Sequence, residues 1–393
     1  MTIASHPSVV ERDLRLDFFR GVALFCIFID HFPNNILAKF TLQSVMFADA
    51  AEVFILISGY TAGMVYGRAM ERHDFLVAGV RVYRRVWQLY VAHISLFMMY
   101  LAMVTYTAGA FNRSLYAEQF GTTSFRNEPG MAVVQALMLR FQPVFMDILP
   151  LYIVLLMVLP LVLAGFRSRP AVVFLPSFAL WLAVQFDDRI ALSIYPGPHR
   201  MWFLNPLAWQ ALFILGVWLG WRSIHGAIPW LSQRWLFWLA AALSCAGFLI
   251  RFNWMLHGFY DPIPVFVSGK GGWPFLSKTD LGLLRLANVL AVSLLVGNLI
   301  PAQARSLRSA AAWPFLVCGR NSLCIFCLLT LLSVLGQLVL NEFFGGLAMQ
   351  FALSVTGVII MVAVAALLEW FVAAPGTPGG SAVETPAASK TQG

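Results

Sequence analysis

Long continuous apolar stretches, separated by short basic or polar segments, organise this chain. Ten stand out, at about 17–37, 48–66, 82–107, 145–166, 171–187, 205–221, 233–252, 281–300, 313–339 and 347–372. Most run to roughly 18–25 residues, the length of helix that spans about 30 Å of hydrocarbon. Lipid offers the backbone no hydrogen-bond partner, so only helices and closed barrels cross it. The apolar residues here are continuous rather than alternating, which predicts helices. The expected fold class is an all-α polytopic membrane protein, a bundle of about ten transmembrane helices.

Three segments follow: a short N-terminal segment (1–16), a transmembrane domain (17–373) and a tail (374–393). The tail, "PGTPGGSAVETPAASKTQG" from 375, is rich in Pro, Gly, Ala, Ser and Thr without periodicity and reads as disordered. The first apolar stretch begins "RLDFFRG" and ends "HFPNN" with no small-residue cleavage pattern, so it reads as a span rather than a signal peptide. No internal repeat of the kind that marks inverted-repeat transporters is visible.

Composition agrees: 60% of residues are hydrophobic and 11% charged, against about 25% charged in soluble domains. The net charge of +8 suggests nucleic acid until its distribution is followed. Arg12, Arg15, Arg68, Arg72, Arg81, Arg84, Arg85, Arg167, Arg169, Arg222, Arg234, Arg305 and Arg308 fall on alternate connections. That is the positive-inside pattern. It predicts both termini in the cytoplasm and the longer loops at 108–144, 188–204 and 253–280 outside. The five cysteines, Cys26, Cys245, Cys318, Cys324 and Cys327, all fall within spans. "CIFC" at 324–327 lacks a second pair to complete a zinc site, so inert thiols, no metal and no bound cofactor are expected.

Ionisable residues inside spans are costly and raise a functional hypothesis by default. "FRGVALFCIFIDHFPNN" (18–34) carries Arg20, Asp30 and His31. Arg20 and His31 lie roughly 16 Å apart along a helix, with Arg20 toward the cytoplasm. Four other spans bring polar groups to the depth of His31: Glu52; Asp147 in "FMDILPLY"; Asn205, Trp209 and Gln210 in "FLNPLAWQ"; and Lys278, Asp280 and Arg285 in "SKTDLGLLRLAN". At the other face Arg20 joins "RVYRR" (81–85). These arginines either anchor the fold to anionic headgroups or hold phosphates.

The layout suits an acyl-CoA: a phosphorylated head on Arg20, Arg81, Arg84 and Arg85, and a thioester opened at His31. His31 is then the general base. Asp30 points about 100° away from it on a helix, so Glu52 or Asp147 is the expected orienting partner. Asn205 or Arg285 would polarise the carbonyl. Arg320 either contacts the CoA or holds Asn321. Asp13 and Asp17 fit the helix dipole, and His93 reads as packing. Trp209 and Trp273, the latter in the glycine-rich loop "SGKGGWPFL", are candidates to stack on a sugar.

Arg20, ten intervening residues and His31 resemble the membrane acyltransferase-3 superfamily. "EVFILISGY" resembles its second-helix motif, with Glu52, Phe54, Ser58, Gly59 and Tyr60 in the matching places; Ile55 replaces a usual aromatic and Glu52 a common Asp. Within that superfamily "RDLRLDFFRG", "FMDILPLYIVLL", "FLNPLAWQALFILG", "SKTDLGLLRLANVLAV" and "GRNSLCIFC" resemble the OpgC family, over residues 12 to about 340. The resemblance implies ten transmembrane helices, a bacterial inner membrane, essential roles for Arg20 and His31, succinyl-CoA as donor and a periplasmic β-glucan as acceptor. Lys278, Arg285 and Arg200 are then candidates for the distal succinyl carboxylate. Two other functions stay open: a proton-coupled transporter or flippase using Asp30, His31, Glu52 and Asp147, and an O-acetyltransferase acting on another envelope glycan. Oligomeric state is not legible.

Overall fold

The computed structural model describes residues 12–187, 189–197, 200–226, 228–259, 274–343 and 345–373. The segment 1–11, the tail from 374 and Trp273 lie outside them. Among the described residues the chain is all helical, with one isolated bridge between Ser193 and Met201 and no strand.

The long helices are α1 (Leu14–Asp30), α2 (Ala50–Arg72), α3 (Phe75–Ala110), α4 (Ile148–Ser168), α5 (Pro170–Phe186), α6 (Pro206–Ile224), α7 (Arg234–Phe259), α8 (Leu283–Leu299), α9 (Trp313–Arg320), α10 (Ser322–Glu342) and α11 (Leu347–Ala373). Seven of them are long and apolar enough to cross a membrane; α5 and α8 are shorter apolar helices. Their outward faces carry large apolar side chains, such as Leu161, Leu175, Phe178, Trp238 and Ile359, as lipid-facing helices do.

Two expected spans change shape. The first stops at Asp30 rather than near 37, because Pro33 disfavours a helical residue before it and Asn34 turns left-handed at φ 54°. The expected 313–339 span breaks at Asn321 into α9 and α10.

The centre is the α2–α6 pair, which also touches α4. A Cβ at Gly63 would fall 2.0 Å from the Val217 carbonyl oxygen, and one at Gly220 would fall 1.9 Å from that of Tyr60. Small residues on both helices thus let the backbones touch, the packing that replaces hydrophobic attraction in lipid. Around this pair α1 packs on α2, α9 and α10, and α3 packs on α2, α4 and α10. The α7 helix pairs mainly with α8, leaving it peripheral.

Polar cross-links define two ends. At one, Arg15 donates to the Gly297 and Ile300 carbonyls (3.1 and 2.9 Å), satisfying orphan acceptors at the end of α8. There too Glu71 pairs with His225 at 2.7 Å. This end holds Arg20 and the arginine-rich connections. At the other, Asn35 donates to Ser354 of α11 (3.0 Å) and Asn205 to Asp280 (3.2 Å). That end holds His31.

Candidate functional site

The His31 end of the bundle is built around the start of α2. Asp49 and Glu52 form a capping box: the Ala51 N–H donates to Asp49 Oδ1 (2.8 Å), and the Asp49 N–H donates to Glu52 Oε2 (3.0 Å). Their remaining oxygens face cations. Lys278 Nζ lies 2.6 Å from Asp49 Oδ2, and Arg285 reaches Glu52 Oε1 through Nε at 2.6 Å and Nη2 at 2.5 Å. Glu52 is fully buried. The cluster balances two acids against two cations, the pairing a buried charge requires.

His31 stands just past the end of α1. Its Nδ1 lies 3.1 Å from Ser333 Oγ, and the Phe145 ring stacks on it with centroids 4.0 Å apart. Ser333 donates its one proton to the Leu329 carbonyl (2.7 Å), so its oxygen can only accept from the imidazole. That assigns the proton to Nδ1 and leaves the Nε2 lone pair free. Gln337, one turn along α10, donates to the His31 carbonyl at 2.6 Å. Phe145 holds its ring there with a left-handed backbone, φ 70°, a conformation uncommon for a bulky residue and worth a functional question.

These contacts correct two expectations and give Asp30 a role. Neither Glu52 nor Asp147 orients the imidazole: Glu52 is committed to Arg285 and the cap, and Asp147 sits at the start of α4, within electrostatic reach of Lys278 and Asp49. Ser333 takes that place. Asp30 accepts from Thr41 at 2.6 Å, tying α1 to the segment that follows it. Asp30 is therefore a fold contact rather than a partner of His31.

The "FLNPLAWQ" residues also change role. Asn205 and Trp209 are fully buried. Asn205 caps α6 (Leu207 N–H, 3.1 Å) and donates to the Ile190 carbonyl (2.9 Å). Trp209 donates to the Lys278 carbonyl (3.0 Å), and Gln210 exchanges hydrogen bonds with Ser177. Asn205 and Trp209 hold the 277–281 turn and so place Lys278 against Asp49, while Gln210 ties α6 to α5, leaving none of them free to face a sugar or a carbonyl oxygen. Arg200 is exposed in its loop.

At the opposite end Arg20 donates to Thr61 Oγ1 (3.0 Å) and lies 3.7 Å from Asp17, which Arg12 grips through two nitrogens. Outside the helices, that hydrogen-bonded carboxylate raises the Arg12 pKa. Arg85 is the one arginine of "RVYRR" that is partly buried, within electrostatic reach of Arg20, Tyr66 and Tyr152. Arg81 and Arg84 are exposed. Arg320 pairs with Glu369 of α11 at 3.0 Å, which corrects its expected contacts. Between the two ends Tyr152 lies near Ser58 of α2. Polar side chains thus stand at intervals from one end of the bundle to the other, a broken file: Arg85, Arg20, Thr61 and Tyr152, then Ser58 on α2, then Glu52, Asp147 and His31.

A family model described as OpgC protein matches residues 12–373. The chain belongs to the OpgC family. OpgC membership carries a membrane acyltransferase-type role in glucan modification. No curated protein and no solved structure matches the chain.

Sequence reading of this OpgC protein missed Asp49, Tyr152, Phe145 and Ser333. Asp49 was legible as the D-x-x-E capping pattern. Tyr152 and Ser333 carried only the weak signal of single hydroxyls in apolar helices. Phe145 carried no signal, because its backbone angle is set by the turn into α4.

Proposed function

We propose that the protein is a transmembrane O-acyltransferase that moves a succinyl group from cytoplasmic succinyl-CoA to hydroxyls of a periplasmic β-glucan in the bacterial inner membrane. The observation that carries this reading is His31: a base with its proton assigned to Nδ1 and Nε2 free, at one end of a polar file whose other end is Arg20 and Arg85.

The donor's phosphates dock on Arg20 and Arg85, and the pantetheine arm lies along Thr61, Tyr152 and Ser58. The thioester then reaches the His31 end. A glucan hydroxyl gives its proton to Nε2 as its oxygen forms the new C–O bond at the thioester carbonyl. The imidazolium proton passes to the sulfur as the C–S bond breaks, releasing free CoA thiol and the glucan ester. Lys278, within electrostatic reach of His31, keeps ammonium protons beyond the one on Asp49 to hydrogen-bond the oxyanion. Ser333 keeps the imidazole in the working tautomer.

The acyl group rests on the family. The Asp49–Glu52–Lys278–Arg285 cluster has no surplus charge for a distal carboxylate, which favours a neutral acetyl group as the second reading. Purified protein in nanodiscs, given succinyl-CoA or acetyl-CoA with a β-glucan, separates them by free thiol released and charge gained by the glucan. Succinyl transfer with added negative charge is expected. Thiol release from acetyl-CoA alone supports the second reading, and transfer from neither donor refutes both.

A further inference from the structure

On α10, Ser333, Gln337 and Asn341 recur every four residues and so share one face of an otherwise apolar helix. The first holds the His31 ring and the second its carbonyl. The third belongs to a directed chain of amides: Asn341 donates to Gln119 (2.9 Å), Gln119 donates to Gln337 (3.3 Å), and Gln337 donates to His31. Gln337 is 6% exposed, whereas Gln119 and Asn341 are exposed. One helical position further, Glu342 accepts from Tyr116 and lies 3.5 Å from Arg113.

Each primary amide has two N–H donors and a carbonyl acceptor with two lone pairs. The chain uses one donor of each, leaving Gln119 and Asn341 with unsatisfied groups facing solvent. Glu342 and Arg113 neutralise one another. The rim is thus rich in neutral donors and acceptors, with the exposed Glu118 beside Gln119 as a further negative charge, the chemistry that exchanges hydrogen bonds with hydroxyls and not with an anion. We propose that this rim, Gln119, Asn341, Tyr116, Glu342 and Arg113, docks the neutral oligosaccharide acceptor and feeds its hydroxyl toward His31. The assignment rests on the acyltransferase reading and moves the acceptor away from the buried "FLNPLAWQ" residues.

The test uses the full chain in nanodiscs with a neutral β-glucan oligosaccharide. Binding is measured calorimetrically without donor, and KM is measured with it. Gln119→Ala/Asn341→Ala is expected to weaken binding and raise the glucan KM about tenfold, since each lost bond is worth a few-fold, with the KM for donor unchanged. Tyr116→Phe, which keeps the ring packing and removes only the hydroxyl, is expected to raise the glucan KM about threefold. The same glucan oxidised to carry carboxylates is expected to bind more weakly. Wild-type binding with both variants within twofold of it overturns the assignment, as does tighter binding of the oxidised glucan or no glucan binding at all. Absence of transfer with glucan binding lost in the double variant instead overturns the acyltransferase reading and leaves the docking site standing.

Discussion

Replacing Ser333 by Ala removes the only acceptor that the His31 Nδ1–H has among the described residues. An unsatisfied buried donor costs about 1–3 kcal/mol. The ring escapes that cost by moving its proton to Nε2, the atom that must be free to act as base. At about 1.4 kcal/mol per tenfold in rate, kcat falls about 5- to 150-fold. The KM for acyl-CoA stays unchanged, because Ser333 lies far from Arg20 along the polar file. Ser333→Thr restores the hydroxyl, and its Oγ1 can donate back to the Leu329 carbonyl as serine does, so kcat returns to within about threefold of wild type. The assay is initial-rate release of CoA thiol at saturating donor and glucan. A second readout separates tautomer control from packing: in a ¹⁵N-histidine spectrum, with the His31 signal identified by its loss in His31→Gln, the protonated nitrogen shifts from Nδ1 to Nε2 in Ser333→Ala. Unchanged kcat in Ser333→Ala, or a threonine variant no better than alanine, refutes the assignment.

Three further outcomes follow from the same geometry. Arg20→Ala raises the KM for acyl-CoA at least tenfold yet leaves turnover of acyl-pantetheine, which lacks the nucleotide phosphates, within twofold; equal effects on both donors contradict the phosphate role. Arg285→Ala strands the buried Glu52 and Asp49 carboxylates and destabilises the fold by about 3–5 kcal/mol; adding Glu52→Gln recovers most of the thermal unfolding midpoint, and failure to recover it argues against the pairing. Gly63→Val forces α2 off the Val217 carbonyl and lowers stability by about 1–3 kcal/mol, measurable as a fall in midpoint, whereas the same change at exposed Gly130, where an added Cβ meets nothing, leaves it within a degree or two.

Most of the fold was legible because lipid imposes it: a run of apolar residues long enough to cross can only be helix. The boundaries that shifted did so at local backbone features, Pro33 with Asn34 and the break at Asn321. Arg20 and His31 were legible for the same reason as the fold, since charge in an apolar run stands out. Their partners were not. Residue types at matching depth suggested Glu52 or Asp147 for His31, but depth does not say which way a helix is turned. The D-x-x-E box turns Glu52 toward its own helix start and Arg285, and α10, whose hydroxyl at Ser333 looked unremarkable, presents the true neighbour. The "FLNPLAWQ" residues misled in the opposite sense. Asn, Trp and Gln resemble a sugar site, yet Asn205 and Trp209 are occupied in holding the turn that carries Lys278 and Gln210 in tying α6 to α5.

The central claim is that donor and acceptor meet at His31 from opposite sides of the bilayer. Proteoliposomes with uniformly oriented protein test it most directly, with succinyl-CoA on the Arg20 side and β-glucan on the His31 side. Glucan esters are expected only in that arrangement, and none with His31→Ala. Esters formed when both substrates share the Arg20 side, or undiminished with His31→Ala, contradict it.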